Sequence, residues 1–137
     1  MNPILRNILA VFAGLIVGSA VNMSIIEISG SIIPPPEGFD TRTEEGLKAA
    51  MHLMEAKHFI FPFLAHALGT FFGALLTARI ASNNKMNLAL LIGLFFLAGG
   101  IWMVTLVTAP IGFVISDLLF AYIPFAWLGG RLISKKA

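Results

Sequence analysis

Four long apolar stretches, separated by short polar segments, dominate the pattern of the chain. They cover about residues 4–33, 59–81, 86–108 and 111–133. Each stretch exceeds the roughly 20 residues that an α-helix needs to cross a hydrocarbon core of about 30 Å. Because lipid offers the backbone no hydrogen bonds, each span is expected to be α-helical. The pattern predicts an all-α integral membrane protein: a four-transmembrane-helix bundle that forms a single membrane domain over residues 1–137.

The first stretch has a competing interpretation as a cleaved signal peptide. Arg6 precedes an apolar run over Ile8–Val17, and the small residues Gly18-Ser19-Ala20 follow it, as in a signal with its cleavage site. The apolar character continues beyond this point as far as Ile28. We therefore expect an uncleaved first span.

The composition agrees with lipid as the solvent of this chain. Hydrophobic residues make up 58% of it and charged residues 12%, whereas soluble domains carry roughly 25% charged residues. The absence of cysteine excludes disulfides, thiolate metal sites and a thiol nucleophile. The basic residues form no run of the kind that binds nucleic acid, so no nucleic-acid partner is expected. The expected surroundings are membrane lipid, with a homo-oligomer or a larger membrane complex as the possible assembly.

The placement of charge predicts the orientation. All seven acidic residues lie toward the side that holds the long loop. By the positive-inside rule, basic span ends face the cytoplasm. Both termini are therefore expected to be cytoplasmic, in the inner membrane, with the loop outside. The basic residues at the predicted cytoplasmic ends are Arg6, Arg79, Lys85, Arg131, Lys135 and Lys136.

The outer loop, residues 34–58, contains a helix pattern. Thr41 and Glu44 have the spacing of a capping box, with Asp40 as an alternative cap. We expect a short amphipathic helix, which either lies on the outer membrane surface or caps the bundle. The residues that follow at helical spacing are Leu47, Ala50, Met51, Met54 and His58.

Small residues form a row at i+4 spacing in each of the first two spans. Such rows bring helix backbones together in lipid, where apolar attraction between helices is lost. Close contacts are therefore expected either within the chain or between copies of it. The helix-packing residues are Gly14 and Gly18, in a row with Ala10 and Asn22, and Gly69 and Gly73, in a row with Ala65 and Thr77.

Pro124 lies in the middle of the fourth span. Proline has no backbone N–H and clashes with the preceding turn of a helix. A kink that frees a backbone carbonyl near Phe120 is therefore expected.

Polar residues inside the spans are the candidate site residues. A charged carboxylate at mid-bilayer costs about 2.5–3.5 kcal/mol on insertion scales, so such residues are rarely incidental. Structural roles compete with function, since a neutral histidine can tie helices together and an interfacial glutamate or histidine can be solvated or capping. The candidates for a proton or ion site are His66, Asp117, Glu27, Asn22, Thr70 and His58.

A metal site formed by His58, His66, Glu27 and Asp117 would have a ligand set suited to zinc, iron or manganese. However, His66 follows His58 by eight positions, a rise of about 12 Å along a helix. That separation is too long for one ion without a bend at Pro62. The sequence leaves both the metal and the cofactor unknown.

No catalytic motif, such as G-x-S-x-G, a P-loop or H-E-x-x-H, is present. The first hypothesis is an oligomeric transporter or channel for a small ion or solute, in which Asp117 or Glu27 couples transport and His66 is the partner. The second is an accessory subunit that docks to a larger complex through its glycine rows. The third is an enzyme that modifies a lipid or quinone, with His66 and Asp117 as acid and base. An internal, water-reachable cavity favours the first, glycine rows open to lipid favour the second, and a cavity open sideways to lipid favours the third.

Overall fold

In the computed structural model, which describes residues 1–135, the described chain is helical throughout apart from its connecting turns. Four segments are long and apolar enough to cross a membrane: Pro3–Ile32, Ala56–Ile80, Lys85–Leu106 and Ile111–Ser134. The predicted all-α, multi-pass four-helix bundle is thereby confirmed. Lys136, which entered the charge argument, lies outside the described residues. The α-helices are α1 (Pro3–Ile32), α2 (Glu44–Ala50), α3 (Ile60–Ile80), α4 (Lys85–Leu106), α5 (Ile111–Ser116) and α6 (Ile123–Ser134).

The bundle has two ends of different construction. The start of α1, the α3–α4 turn and the end of α6 lie at one end, which we call the terminal end. The segment between α1 and α3 and the α4–α5 turn lie at the other, which we call the loop end. Large apolar side chains on the outside of the bundle are more than half exposed, among them Phe12, Ile60, Trp102 and Ile111. Such a surface is unfavourable in water and suits lipid.

The centre of the bundle is α3, which packs against α1, α4 and α6. Its contact with α1 is very close: a Cβ added at Gly18 would lie 2.7 Å from the carbonyl oxygen of Gly69, and one at Gly73 would lie 2.7 Å from the carbonyl oxygen of Gly14. Only glycine permits this approach of two backbones. The two small-residue rows therefore pack against each other within one chain.

A hydrogen bond and a small-residue core complete the packing of the terminal half. The Thr77 hydroxyl donates to the carbonyl oxygen of Ala10 at 3.2 Å. Small side chains allow α3, α4 and α6 to approach one another, and dispersion contacts at this density stabilise the bundle. The buried residues of this core are Ala74, Ala78, Ala89, Ile92 and Ala126.

Side chains from α1 close the terminal end over the last turn of α3. Arg6 Nε donates to the carbonyl oxygen of Ile80 at 2.6 Å. Asn7 accepts from the backbone N–H of Ser82 at 2.9 Å and donates to Asn83 at 2.7 Å. These bonds serve polar groups that a helix end leaves without intrahelical partners.

The fourth span is interrupted. After α5, one π-helical turn covers Asp117–Ala121, and α6 begins at Ile123 with Pro124 in its first turn. The break expected at Pro124 is present, but it begins as far back as Asp117. A π turn hydrogen-bonds from i to i+5 and so carries one extra residue per turn.

The loop helix α2 is shorter than its spacing predicted. Its N-cap is Thr43, whose hydroxyl oxygen accepts from the N–H of Gly46 at 3.0 Å, so the predicted caps Thr41 and Asp40 are wrong. Asp40 forms the preceding turn instead, because its carbonyl oxygen accepts from the N–H and the hydroxyl of Thr43. The helix stops at Ala50, and two 3-10 turns, Met51–Leu53 and Ala56–Phe59, lead into α3.

Candidate functional site

A hydrogen-bonded group of three side chains lies inside the bundle. His66 Nδ1 is 2.7 Å from Asp117 Oδ1, and the Tyr122 hydroxyl donates to Asp117 Oδ2 at 2.9 Å. The rings of His66 and Tyr122 stack with their centroids 5.6 Å apart. Asp117 is only 4% exposed, and each of its carboxylate oxygens has one partner. The structure thus brings together two of the predicted candidates and adds Tyr122.

The π turn is what places Tyr122 on Asp117. In a regular α-helix, residues five positions apart point about 140° away from each other. The i to i+5 pattern of the π turn brings them to the same side. Tyr122 then fits against α4 at Gly100, where a Cβ would lie 2.6 Å from the tyrosine hydroxyl oxygen.

The arrangement assigns different roles to the two imidazole nitrogens of His66. When Asp117 is ionised, its carboxylate only accepts hydrogen bonds, so Nδ1 carries the hydrogen toward it. Nε2 is then left as an acceptor, and it is not the nitrogen that bonds to Asp117 in residues 1–135. A carboxylate that fixes the tautomer of a histidine in this way prepares the other nitrogen to take up and release a proton.

His66 and Asp117 lie in the wall of a cavity of about 920 Å³ in the loop half of the bundle. The His66 side chain is 30% exposed, and because it lines the cavity, its exposed edge faces that space. The apolar part of the wall includes Met23, Ile26, Phe96, Met103, Val104 and Phe113. The six predicted site residues all line the cavity: Asn22, Glu27, His58, His66, Thr70 and Asp117.

The loop segment forms part of the cavity wall at the loop end. Leu47, Met51 and Met54 line the cavity from that side, as a bundle cap would. Arg42 Nη2 lies 3.2 Å from Glu27 Oε2, and the two side chains are 79% and 55% exposed. Exposed ion pairs contribute at most about 1 kcal/mol, so this pair holds the loop to α1 only weakly.

His58 is hydrogen-bonded to the loop and not to His66. Its Nδ1 accepts from the backbone N–H of Glu55 at 2.9 Å, and its Nε2 is 3.2 Å from the carbonyl oxygen of Pro34. Glu27 and His58 are therefore engaged at the loop end, and Asp117 and His66 deeper in the bundle. Within residues 1–135 no three His, Asp or Glu side chains converge as metal ligands, so the four-residue metal set considered from the sequence is not assembled.

Two polar atoms in the cavity wall have no hydrogen-bond partner within the described chain. They are Thr70 Oγ1 and Asn22 Oδ1; Thr70 is only 1% exposed. A buried polar group without a partner costs about 1–3 kcal/mol. These two side chains lie where α1 and α3 begin their close contact, since a Cβ at Gly69 would meet the Asn22 Cβ at 3.0 Å.

The cavity ends at this contact. The α1 residues that line it begin at Asn22 and the α3 residues stop at Thr70. Beyond them, toward the terminal end, the Gly14 and Gly73 backbones touch. The site is therefore a chamber at the loop end, and within residues 1–135 its lining does not continue to the terminal end.

Sequence reasoning did not identify Tyr122 as part of this site. It is the chain's single tyrosine, and it lies five positions after Asp117 and two before Pro124. The proline was the available signal, since a break in the helix changes which residues share a face. No protein-family model, curated protein or solved structure matches this chain.

Proposed function

We propose that the protein transports a small solute, with the loop-end cavity as the binding site and His66 with Asp117 as the pair that exchanges a proton during transport. The observation that carries this proposal is the 2.7 Å hydrogen bond between His66 Nδ1 and Asp117 Oδ1 in the wall of the 920 Å³ cavity. Ionisable groups within membrane spans are costly and recur in proton relays and substrate pathways. The basic residues of the terminal end favour an inner-membrane orientation with that end in the cytoplasm.

The broken fourth span supports a transport cycle. Transporters commonly build their sites from discontinuous helices, because the interruption lets one part of a helix move against the other. Here the interruption begins at Asp117. A change in the protonation of Asp117 or His66 therefore acts directly on the π turn, and through it on the contact between Tyr122 and Gly100.

A second conformation has to connect the cavity with the terminal end. In the proposed cycle, rearrangement around the π turn opens α6 against α3 and α4, where small residues now seal the bundle. Four helices enclose little space alone, so we propose that the working unit is a dimer or larger assembly, with a symmetric dimer as the default.

Acid–base catalysis on a membrane-borne substrate is the second candidate, because the acceptor Nε2 of His66 faces a largely apolar cavity, as a general base requires. A docking role receives less support. The glycine rows that would serve as a docking surface pack against each other inside this chain.

Transport is tested in proteoliposomes that contain a trapped pH indicator. A panel of alkylamines, amino acids, sugars and alcohols is added, and proton movement driven by each solute is recorded. We expect at least one solute to drive proton movement. Asp117→Asn should reduce the rate of that proton movement at least tenfold, because the amide that replaces the buried carboxylate cannot exchange a proton.

Glu44→Gln is the matched control, since Glu44 is an exposed acid on α2 and should not affect the rate. Equal rates for the wild type and Asp117→Asn would contradict the proposal. So would the absence of solute-driven proton movement across the whole panel.

A further inference from the structure

We infer that the solute is an amphiphilic amine, with an ammonium group at the inner end of the cavity and an apolar body along its walls. This inference rests on the proposed function, because it takes the cavity as the place where the solute binds. It adds the chemical class of the solute and a second pair of recognition residues, Asn22 and Thr70.

Hydrogen-bond acceptors are in excess at the inner end of the cavity. Asn22 Oδ1 and Thr70 Oγ1 have no partner in the described chain, and His66 Nε2 has none either. A primary ammonium group carries three N–H donors and no acceptor. Asn22 Oδ1 only accepts hydrogen bonds, and the Thr70 hydroxyl both donates and accepts, so an ammonium group can serve both once these buried side chains turn toward the cavity. A ligand that carries acceptors alone would leave Asn22 Oδ1 unsatisfied at a cost.

The charge at the inner end also favours a cation. The cavity is lined by the carboxylates of Asp117 and Glu27 and by one guanidinium group, that of Arg42. Arg42 is engaged by Glu27 at the loop end. Among the lining residues, therefore, no lysine or arginine lies beside Asp117 to receive a phosphate or carboxylate group, and an ammonium group is attracted to the buried anion.

The walls of the cavity favour a solute with an apolar body. Met23, Ile26 and Phe96 belong to a lining that is otherwise mainly apolar, and the volume is within the roughly 300–1,000 Å³ of small-molecule sites. The lining residues of α1 and α4 thus offer an apolar body a place inside the cavity.

The amine also supplies the proton that the proposed function requires. An ammonium N–H that donates to His66 Nε2 can transfer its proton there, leaving a neutral amine and an imidazolium ion held by Asp117. The reverse transfer restores the ammonium ion and the neutral imidazole. No oxidant, reductant or other reactant enters this exchange.

Four octyl compounds test the class of solute on the full chain in nanodiscs: octylamine, octyltrimethylammonium, octanol and octyl phosphate. Binding is followed by the ligand-dependent shift of thermal unfolding, recorded by tryptophan fluorescence. Octylamine should bind most tightly. Octyltrimethylammonium, which has the same charge but no N–H, should bind at least tenfold more weakly, and octyl phosphate should not saturate.

Substitutions test the recognition residues in the same assay. Asn22→Ala and Thr70→Val should each weaken octylamine binding about ten- to a hundredfold, the effect of one lost hydrogen bond to a charged group. Ser134→Ala is the matched control: Ser134 Oγ is likewise buried and without a partner in the described residues, but it lies in α6 at the terminal end. Its removal should leave octylamine binding unchanged.

The inference is overturned if octylamine binds no more tightly than octanol, or if Asn22→Ala and Thr70→Val bind it as the wild type does. These failures are distinct from failure of the proposed function. Saturable octylamine binding without proton movement in vesicles would support the amine site and contradict the transport proposal. Proton movement driven by a solute without N–H groups, with no saturable binding of octylamine, would support transport and contradict the amine site.

Discussion

The same two helices, α1 and α3, form a seal in one half of the bundle and a chamber in the other. In the terminal half, Gly14 and Gly73 bring the backbones into contact, and the Thr77 hydroxyl has a partner on α1. In the loop half, the small-residue rows give way to Asn22 and Thr70, and a cavity of about 920 Å³ lies beyond them. The difference shows that a change of side chains along one helix pair accompanies the passage from a closely packed half to one that holds a cavity.

The two halves also differ in how their polar groups are satisfied. The terminal half pairs Arg6, Asn7 and Thr77 with backbone or side-chain groups. Within residues 1–135, the loop half leaves two buried atoms without partners, Asn22 Oδ1 and Thr70 Oγ1, whereas the terminal half leaves one, Ser134 Oγ. Unsatisfied buried groups destabilise a fold, and proteins tolerate them mainly at functional sites. Both atoms of the loop half belong to residues that line the cavity, whereas Ser134 does not line it.

The largest effect is expected where the seal itself is broken. Gly18→Leu should destabilise the protein by about 3 kcal/mol, the upper part of the range for overpacking. The reason is that its Cβ would lie 2.7 Å from the Gly69 carbonyl oxygen and 2.9 Å from the Phe96 ring. Unfolding by denaturant in detergent, followed by circular dichroism, measures the change.

Gly30→Leu is the control for that substitution. Gly30 is also in α1, but a Cβ there has no neighbour within 4 Å, so its stability should stay close to that of the wild type. A similar loss of stability in both variants would show that α1 tolerates a larger residue at neither position, and that the close contact between α1 and α3 has no special role.

A smaller effect is expected from deleting single hydroxyl groups in the two halves. Tyr122→Phe should cost about 1.5–3 kcal/mol, because it removes a donor to a buried carboxylate. Thr77→Val should cost about 0.6 kcal/mol, the average for neutral hydrogen bonds between membrane helices. The same unfolding measurement compares the two variants. A loss of stability in Thr77→Val that equals or exceeds the loss in Tyr122→Phe would show that the bond to Asp117 is no stronger than a neutral hydrogen bond between helices.

Much of the fold could be predicted from the sequence because its signals are local. The length of each apolar run defines a span, and the i+4 spacing of Gly14 and Gly18 defines a contact face. Both follow from helix geometry and from the absence of water in the bilayer core. What faced Gly14 could not be predicted, since a glycine row is equally suited to a second copy of the chain.

The cap of α2 and the position of the π turn could not be predicted, because the local sequence allows more than one arrangement at each. A capping box from Thr41 to Glu44 would begin the helix at residue 42. The turn at Asp40 occupies this segment instead, so the helix begins at Glu44 with Thr43 as its cap. Pro124 predicted a break in the fourth span. The position of the π turn, however, depends on how Tyr122 packs against Gly100 on another helix. Tertiary contacts of this kind leave no mark in the local pattern, so Tyr122 was missed although Asp117 was identified.

If the cavity is a binding site reached from the loop side, it has to be open at the loop end and closed toward the terminal end. Because the chain has no cysteine, Asn22→Cys and Thr77→Cys can be compared directly for reaction with a membrane-impermeant thiosulfonate, added to one face of oriented membrane vesicles at a time. We predict that Asn22→Cys reacts from the face that carries the loop and not from the other, and that Thr77→Cys reacts from neither. Protection of Asn22→Cys on both faces, or reaction of Thr77→Cys at a comparable rate, would show that the cavity is not open at the loop end alone.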